Sequence, residues 1–277
     1  MADVVVLGLI KGHNSLVKYN KLIRRNALLR KHFKTPEYDF VIFHEGDIQQ
    51  YVKDMVKCEI GNAEFLNIGK ESFWKKDNNI ENVGYKNMCS FYTYYLWQYV
   101  KDYKYAIRLD DDSYVYSEGL SSILKDMEKN HLNHVYVRKK EDTHKETKET
   151  LPEFSSNYAH RNGIEVSERC FNVTNFYSNF YVTRVQFWLR SDVQDYLRHV
   201  VKSDGIYEHR WGDSTIHAMA LKMFSDSDKI QKSGKLRYKH GSHGWSNFHV
   251  RYPGIIAKMY WSFIYLPYLH MCSKTNK

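Results

Sequence analysis

The hydrophobic pattern of the first half of the chain alternates between short apolar runs and helical stripes. Asp3 to Ile10 is an almost continuous apolar run, the signature of a strand buried on both faces. Asn14-Ser15 offers an N-cap, and Leu16, Tyr19, Ile23, Leu28 and Leu29 give a helical stripe to about His32. Tyr38 to Phe43 predicts a second strand, Ile48, Tyr51, Val52 and Met55 a helix, and Ala63 to Ile68 a third strand. From Tyr85 to Tyr99 the apolar residues Met88, Phe91, Tyr92, Tyr95, Leu96 and Tyr99 follow steps of three and four, a helical period. Tyr105 to Leu109 predicts a strand that runs into Asp110-Asp111-Asp112, and Leu120, Ile123, Leu124 and Met127 the helix after it. This β-α-β-α order predicts an α/β fold with a mostly parallel sheet and helices on both faces.

The second half is less regular. Residues 138–150 alternate acidic, basic and Thr residues, bury no face, and are expected to form an exposed mobile loop. Phe171 to Val182 reads as strand, and Gln186 to Val201 and Trp211 to Phe224 read as helices. Residues 233–277 are rich in Gly, His, Trp and Tyr and read as a looped C-terminal tail packed on the domain. With no internal repeat and no convincing boundary, residues 1–277 are expected to form a single domain.

Composition narrows the classes. A charge of +9 suits anionic ligands such as sugar nucleotides, nucleic acid or anionic lipid. The basic residues are scattered and no nucleic-acid motif accompanies them, so nucleic acid is not an expected partner. Cys58, Cys89, Cys170 and Cys272 form no C-x-x-C pair and read as free thiols, compatible with a reducing compartment. The sequon Asn172-Val173-Thr174 is too short to decide the compartment. Val4 to Ile10 is too short for a signal peptide or an anchor. The stretch 259–269 is apolar, but its length and Pro267 argue against a span; it reads as a packed C-terminal segment, with peripheral membrane contact as the alternative. The expected location is cytoplasmic or peripheral to a membrane.

The acidic triplet is the first chemically loaded feature. Three adjacent carboxylates repel one another, and a divalent cation, Mn2+ or Mg2+, would compensate them and bind a pyrophosphate beyond the strand end. Asp112 is the expected direct ligand, with Asp110 facing ribose or metal and Asp111 supporting or capping the turn. A solvated acidic turn is the plainer alternative. Lys11, His13 and Asn14 follow the first strand, where backbone N–H groups could meet nucleotide atoms or simply form a strand-to-helix turn. No P-loop, G-x-G-x-x-G or G-x-S-x-G motif competes.

Three segments carry a family resemblance. Tyr85-Lys86-Asn87-Met88-Cys89-Ser90-Phe91 resembles the Y-R-N-M-C-R-F signature of the fungal α-1,2-mannosyltransferase family. Asn175-Phe176-Tyr177-Ser178-Asn179-Phe180 resembles its H-F-W-S-N-F-E strand, and His209 to His217 resembles its E-R-W-G-D-A-P-V-H helix start. The resemblance implies a GT-A nucleotide-diphospho-sugar transferase fold and a retaining transfer of mannose from GDP-mannose, with manganese, to a hydroxyl of a glycan or glycoprotein. It implies that Tyr85 and Lys86 contact the sugar donor and that His240, rather than the neighbouring His243, supplies a late metal ligand. Asp213 would bind the acceptor hydroxyl, or act as base in an inverting enzyme, with helix capping as its plain role. His217, one turn on, is either a partner on the same face or a packed histidine.

The chain also departs from that family. Tyr181 stands where the family has a Glu, so a carboxylate nucleophile is missing there; Tyr181 and Tyr177 are candidates either for lining the sugar pocket or for packing as core aromatics. Asp110-Asp111-Asp112-Ser113 replaces E-P-x-V, and Arg108 to Leu120 instead resembles the inverting β-1,3-galactosyltransferase and Fringe group. Two further readings stay open: an inverting transferase using a UDP-sugar, and a non-catalytic glycan-binding domain on a degenerate transferase fold.

Overall fold

The computed structural model describes residues 3–14, 16–33, 37–61 and 63–241. Ser15, His243, Cys272 and the 259–269 stretch lie outside them. In chain order the first elements are β1 (Val4–Ile10), α1 (Asn20–His32), β2 (Asp39–His44), α2 (Gln50–Ile60), β3 (Ala63–Asn67) and α3 (Val83–Ser90). A π-helical turn, Phe91–Tyr95, leads into α4 (Leu96–Tyr99), followed by β4 (Tyr105–Leu109), β5 (Ser113–Val115), α5 (Leu120–Lys129) and β6 (His134–Tyr136). Then come β7 (Lys139–Glu141), α6 (Lys145–Arg161), β8 (Thr174–Phe176), β9 (Phe180–Arg184), α7 (Val185–Trp188) and α8 (Ser191–Lys202). The described residues end with α9 (Gly205–Glu208), α10 (Asp213–Phe224), β10 (Ile230–Lys232) and β11 (Tyr238–His240).

Seven strands form one sheet in the order β10-β6-β9-β4-β1-β2-β3. All neighbours are parallel except β9, which runs antiparallel to both β4 and β6. The apolar run of β1 occupies the middle of the sheet, and its side chains alternate between two cores. Val5 and Leu7 pack with the aromatic cluster of α4, α8 and α10, while Val4, Val6 and Ile10 pack under α1, α2 and α5. Burying each such side chain contributes about 1.5–3 kcal/mol.

Two features of this sheet position the site. Because β1 and β4 are parallel neighbours, the Lys11–Asn14 turn and the acidic triplet emerge at the same edge. Because β9 runs the other way, its first residues return to that edge, and Asp110 N–H donates to the carbonyl of Asn179 at 3.2 Å.

Several expectations are corrected. Residues 138–150 are not a mobile loop: they hold β7, which pairs with β8, and the first turns of α6. The reason lies beyond residue 150, where Leu151, Ser155, Tyr158 and Ala159 extend a buried stripe that starts at Thr147. The tail is not all loop either, because β11 pairs antiparallel with β5. The Tyr85–Tyr99 helix is interrupted by the π turn, which lets the consecutive residues Phe91, Tyr92 and Thr93 all be buried. The buried face of α1 includes Arg25 and Asn26 as well as Leu22, Ile23 and Leu29.

Candidate active site

The site is built where β4 ends. Arg108 sits in an otherwise apolar strand and is fully buried, which is tolerable only if its charge is matched. It is matched twice: its Nε donates to Asp110 Oδ1 at 3.0 Å, and its Nη1 forms an ion pair with Asp213 Oδ2. The guanidinium also lies 3.5 Å from the centre of the Tyr92 ring, supplied by the π turn.

Asp213 is the first residue of α10, with Gly212 in the capping position, so its carboxylate does not cap the helix. Burial would raise its pKa, but the Arg108 charge overcomes burial and holds the carboxyl below its ordinary range. Cys89 Sγ donates to Asp213 Oδ1 at 3.7 Å, and burial keeps the thiol protonated. The turn before α10 places Arg210 at φ 55, in the left-handed region that non-glycine residues seldom adopt. It is held from the supposed loop: Thr147 Oγ1 donates to the Arg210 carbonyl, Trp211 Nε1 to Thr150 Oγ1, and Thr215 Oγ1 to Asp142 Oδ2.

On the other side of Asp110 lies a second cluster. Asn179 Nδ2 donates to Asp110 Oδ2 at 2.8 Å and lies 2.9 Å from His240 Nε2. That imidazole nitrogen is 3.0 Å from Asp112 Oδ1, and Nδ1 faces the Tyr177 hydroxyl at 3.4 Å. The β5–β11 register places His240 opposite Ser113, and Gly241 N–H donates to the Asp112 carbonyl. Lys21 Nζ, from α1, donates to Asp112 Oδ2 at 3.0 Å. Asp111 carries no ligand-like contact with these groups. Burial first, then the charges of Asp112 and Asp110, push its pKa up to about 6. Burial likewise raises that of Asp110.

The structure therefore brings Asp110, Asp112, His240 and Asp213 together, with Asp111 beside them and Tyr85 connected through Cys89. It does not bring in Lys86, whose ammonium donates to the Tyr207 carbonyl at 2.7 Å. Tyr181 lies under this cluster, within reach of the charges of Arg108, Asp213 and Asp110. It pairs with Arg108 across the β4–β9 ladder and is 1% exposed, packed on His134 and His217. His217 is a packed histidine, its ring tilted against those of Trp97 and Trp188. Lys11, His13 and Asn14 lie at the correct edge, but their turn is tied to its own surroundings: Gly12 N–H donates to Asp47 and His13 N–H to Tyr19. Sequence reasoning missed Arg108, Asn179 and Lys21 as site residues. An Arg inside the apolar run Y-A-I-R-L was the available signal for the first; nothing local marked Lys21.

Among the described residues, no group of three or more His, Cys, Asp or Glu side chains forms a ready coordination shell. The corner instead presents a carboxylate–imidazole pair, Asp112 and His240, with Asp110 joined through Asn179. Manganese accepts that donor set, and hard cations at phosphate sites take one or two protein ligands and complete their shell with phosphate oxygens and water. The residues present fit such an ion. A surface cleft of about 470 Å³ near the end of α6, lined by His160, Glu165 and Phe171 among others, shares none of these residues. No helix among the described residues is long and apolar enough to cross a membrane.

The family model for glycolipid 2-alpha-mannosyltransferases matches residues 73–245. Glycolipid 2-alpha-mannosyltransferase 1 of Candida albicans is 24% identical over 237 residues, covering 73% of this chain and 55% of that protein. The chain spans about half the length of the relatives it matches. Among solved structures, the mannosyltransferase Ktr4p of S. cerevisiae superposes with a TM-score of 0.75 at 20% identity, covering 86% of this chain and 70% of that one. Core-mannan synthase A of Aspergillus fumigatus, in its Mn/GDP form, gives 0.73 at 17% identity, covering 87% and 75%. The fold is GT-A.

Proposed function

Since the chain belongs to the glycolipid 2-alpha-mannosyltransferase family, we propose that it transfers mannose from GDP-mannose to a hydroxyl of a glycan or glycoprotein, retaining configuration and using a divalent cation. The observation that supports this reading is the corner itself: Asp110, Asp112 and His240 converge at the sheet edge beside an Asp213 whose charge is fixed by Arg108. The solved relative in its Mn/GDP form supports the choice of cation and nucleotide.

Asp112 and His240 would hold the cation, which supplies positive charge to the departing diphosphate. The chain's own residues do the rest. Asp110 is clamped by Arg108 and Asn179 and presents a fixed carboxylate for ribose or cation. Asp213 is a weak base, because Arg108 lowers its pKa, so its suited role is to accept a hydrogen bond from the acceptor hydroxyl and orient it. Tyr181 cannot act as a carboxylate nucleophile and lies closed off in the core. The acceptor then attacks from the leaving-group side, where a diphosphate oxygen can take its proton.

The test is a panel of GDP-, UDP- and CDP-sugars incubated with and without Mn2+, read as thermal stabilisation and product anomer by NMR. Cation-dependent stabilisation and turnover of GDP-mannose to an α-mannoside is the expected result. Turnover of a UDP-sugar to a β-product would overturn the donor and stereochemistry. A complete lack of cation-dependent turnover would favour the glycan-binding reading, which the Tyr181 substitution motivates.

A further inference from the structure

The acidic triplet is already compensated by the protein's own cations. Arg108 takes Asp110 at 3.0 Å. Arg25, fully buried with its Nη1 donating to the Leu109 carbonyl, sets its charge against Asp111. Lys21 takes Asp112 at 3.0 Å. Lys21 and Arg25 stand four residues apart on α1, so both reach the strand end from one helix face. The three cations differ in one respect. Arg108 and Arg25 are locked in the core, whereas the Lys21 side chain is 40% exposed on a flexible four-carbon stem. It occupies one oxygen of the very carboxylate that the proposed cation needs, while His240 faces the other.

We propose that Lys21 is an exchangeable counter-ion: it neutralises Asp112 in the empty site, yields that carboxylate to the divalent cation, and moves its ammonium onto the sugar donor's diphosphate. This rests on the donor and cation reading above and adds a residue to it. Like charges at one carboxylate repel, so ion entry drives the ammonium away from Asp112. A diphosphate bound at the same corner is the nearest anion to receive it, and lysine serves phosphate well as a point charge. Lys21 would thus favour ordered loading, weakening the bare ion's hold and strengthening that of the ion together with the nucleotide.

The experiment uses the full chain and Lys21→Met, with Lys21→Arg as second variant. Mn2+ affinity is measured by EPR titration without nucleotide, and GDP affinity by calorimetry with saturating Mn2+. Lys21→Met should tighten bare Mn2+ several-fold and weaken GDP about tenfold, and Lys21→Arg should return GDP affinity towards wild type. The loss of GDP affinity is the discriminating result, because removing a lysine that merely stayed on Asp112 would by itself tighten Mn2+. If wild type binds both ligands and Lys21→Met changes neither, or weakens Mn2+, the exchange is refuted while the donor reading stands. If wild type binds neither Mn2+ nor GDP, both fail together.

Discussion

Asn179 and His240, 61 residues apart in sequence, meet with Nδ2 and Nε2 separated by 2.9 Å, and the same Asn179 amide donates to Asp110. One amide therefore joins the end of β4 to the strand β11. Asn179→Ala removes that link without emptying the core. It should weaken Mn2+ binding roughly 10-fold or more, as loss of groups that orient ligands does. An EPR titration that finds unchanged affinity would remove Asn179 from the site.

Asp112→Asn should abolish the Mn2+-dependent thermal stabilisation by GDP while leaving the circular dichroism spectrum intact. Asp112 is itself buried, but its partner Lys21 is 40% exposed and free to turn to solvent, so loss of the carboxylate leaves no lysine charge stranded in the core. Nucleotide affinity equal to wild type would contradict its role as ligand.

Arg108 and Asp213 form a buried pair, so removing one partner strands the other. Arg108→Met should destabilise the fold by about 3–5 kcal/mol. Asp213→Asn should cost less, because Asp110 still compensates the guanidinium. Its main effect should be on kcat, with donor KM little changed. Urea unfolding and initial-rate kinetics separate these outcomes.

The π turn and helix α10 enclose His217, whose burial lowers its pKa from 6.5 to about 4. The folded state then binds fewer protons than the unfolded state between those values. The stability this contributes is fully present above pH 6.5 and is lost as pH falls towards 4. The loss attributable to His217 amounts to about 3 kcal/mol. His217→Gln should therefore flatten the fall in urea midpoint between pH 7 and pH 4.5. A parallel pair of curves would show that the imidazole is not held neutral.

Much of the fold could be read where the chain repeats a clear period. The runs in β1 and β4 and the stripe of α5 are long enough to declare themselves, and both expected core faces are present. The three-residue strands β6, β10 and β11 carry no period and exist only by pairing with neighbours distant in sequence. The polar opening of α6 hides a buried stripe that becomes visible only past Thr150. At the site, the acidic triplet, Asp213 and His240 stood out by residue type or by resemblance. Lys21 did not, because a lysine on an amphipathic helix looks like any solvated residue until the fold shows which carboxylate it meets. Tyr181 is paired with Arg108 across the β4–β9 ladder, so alternation puts it on the same face as that guanidinium, where it is buried rather than open at the edge.

The β5–β11 ladder sets a schedule for synthesis. His240 belongs to the last described strand, so a nascent chain must expose nearly every described residue before the imidazole can reach Asp112. Until then Lys21 and Arg25, both made early, are available to shield the triplet. A chain in which β11 has not yet docked would have its three aspartates met by Lys21, Arg25 and Arg108 but would lack the imidazole that completes the corner.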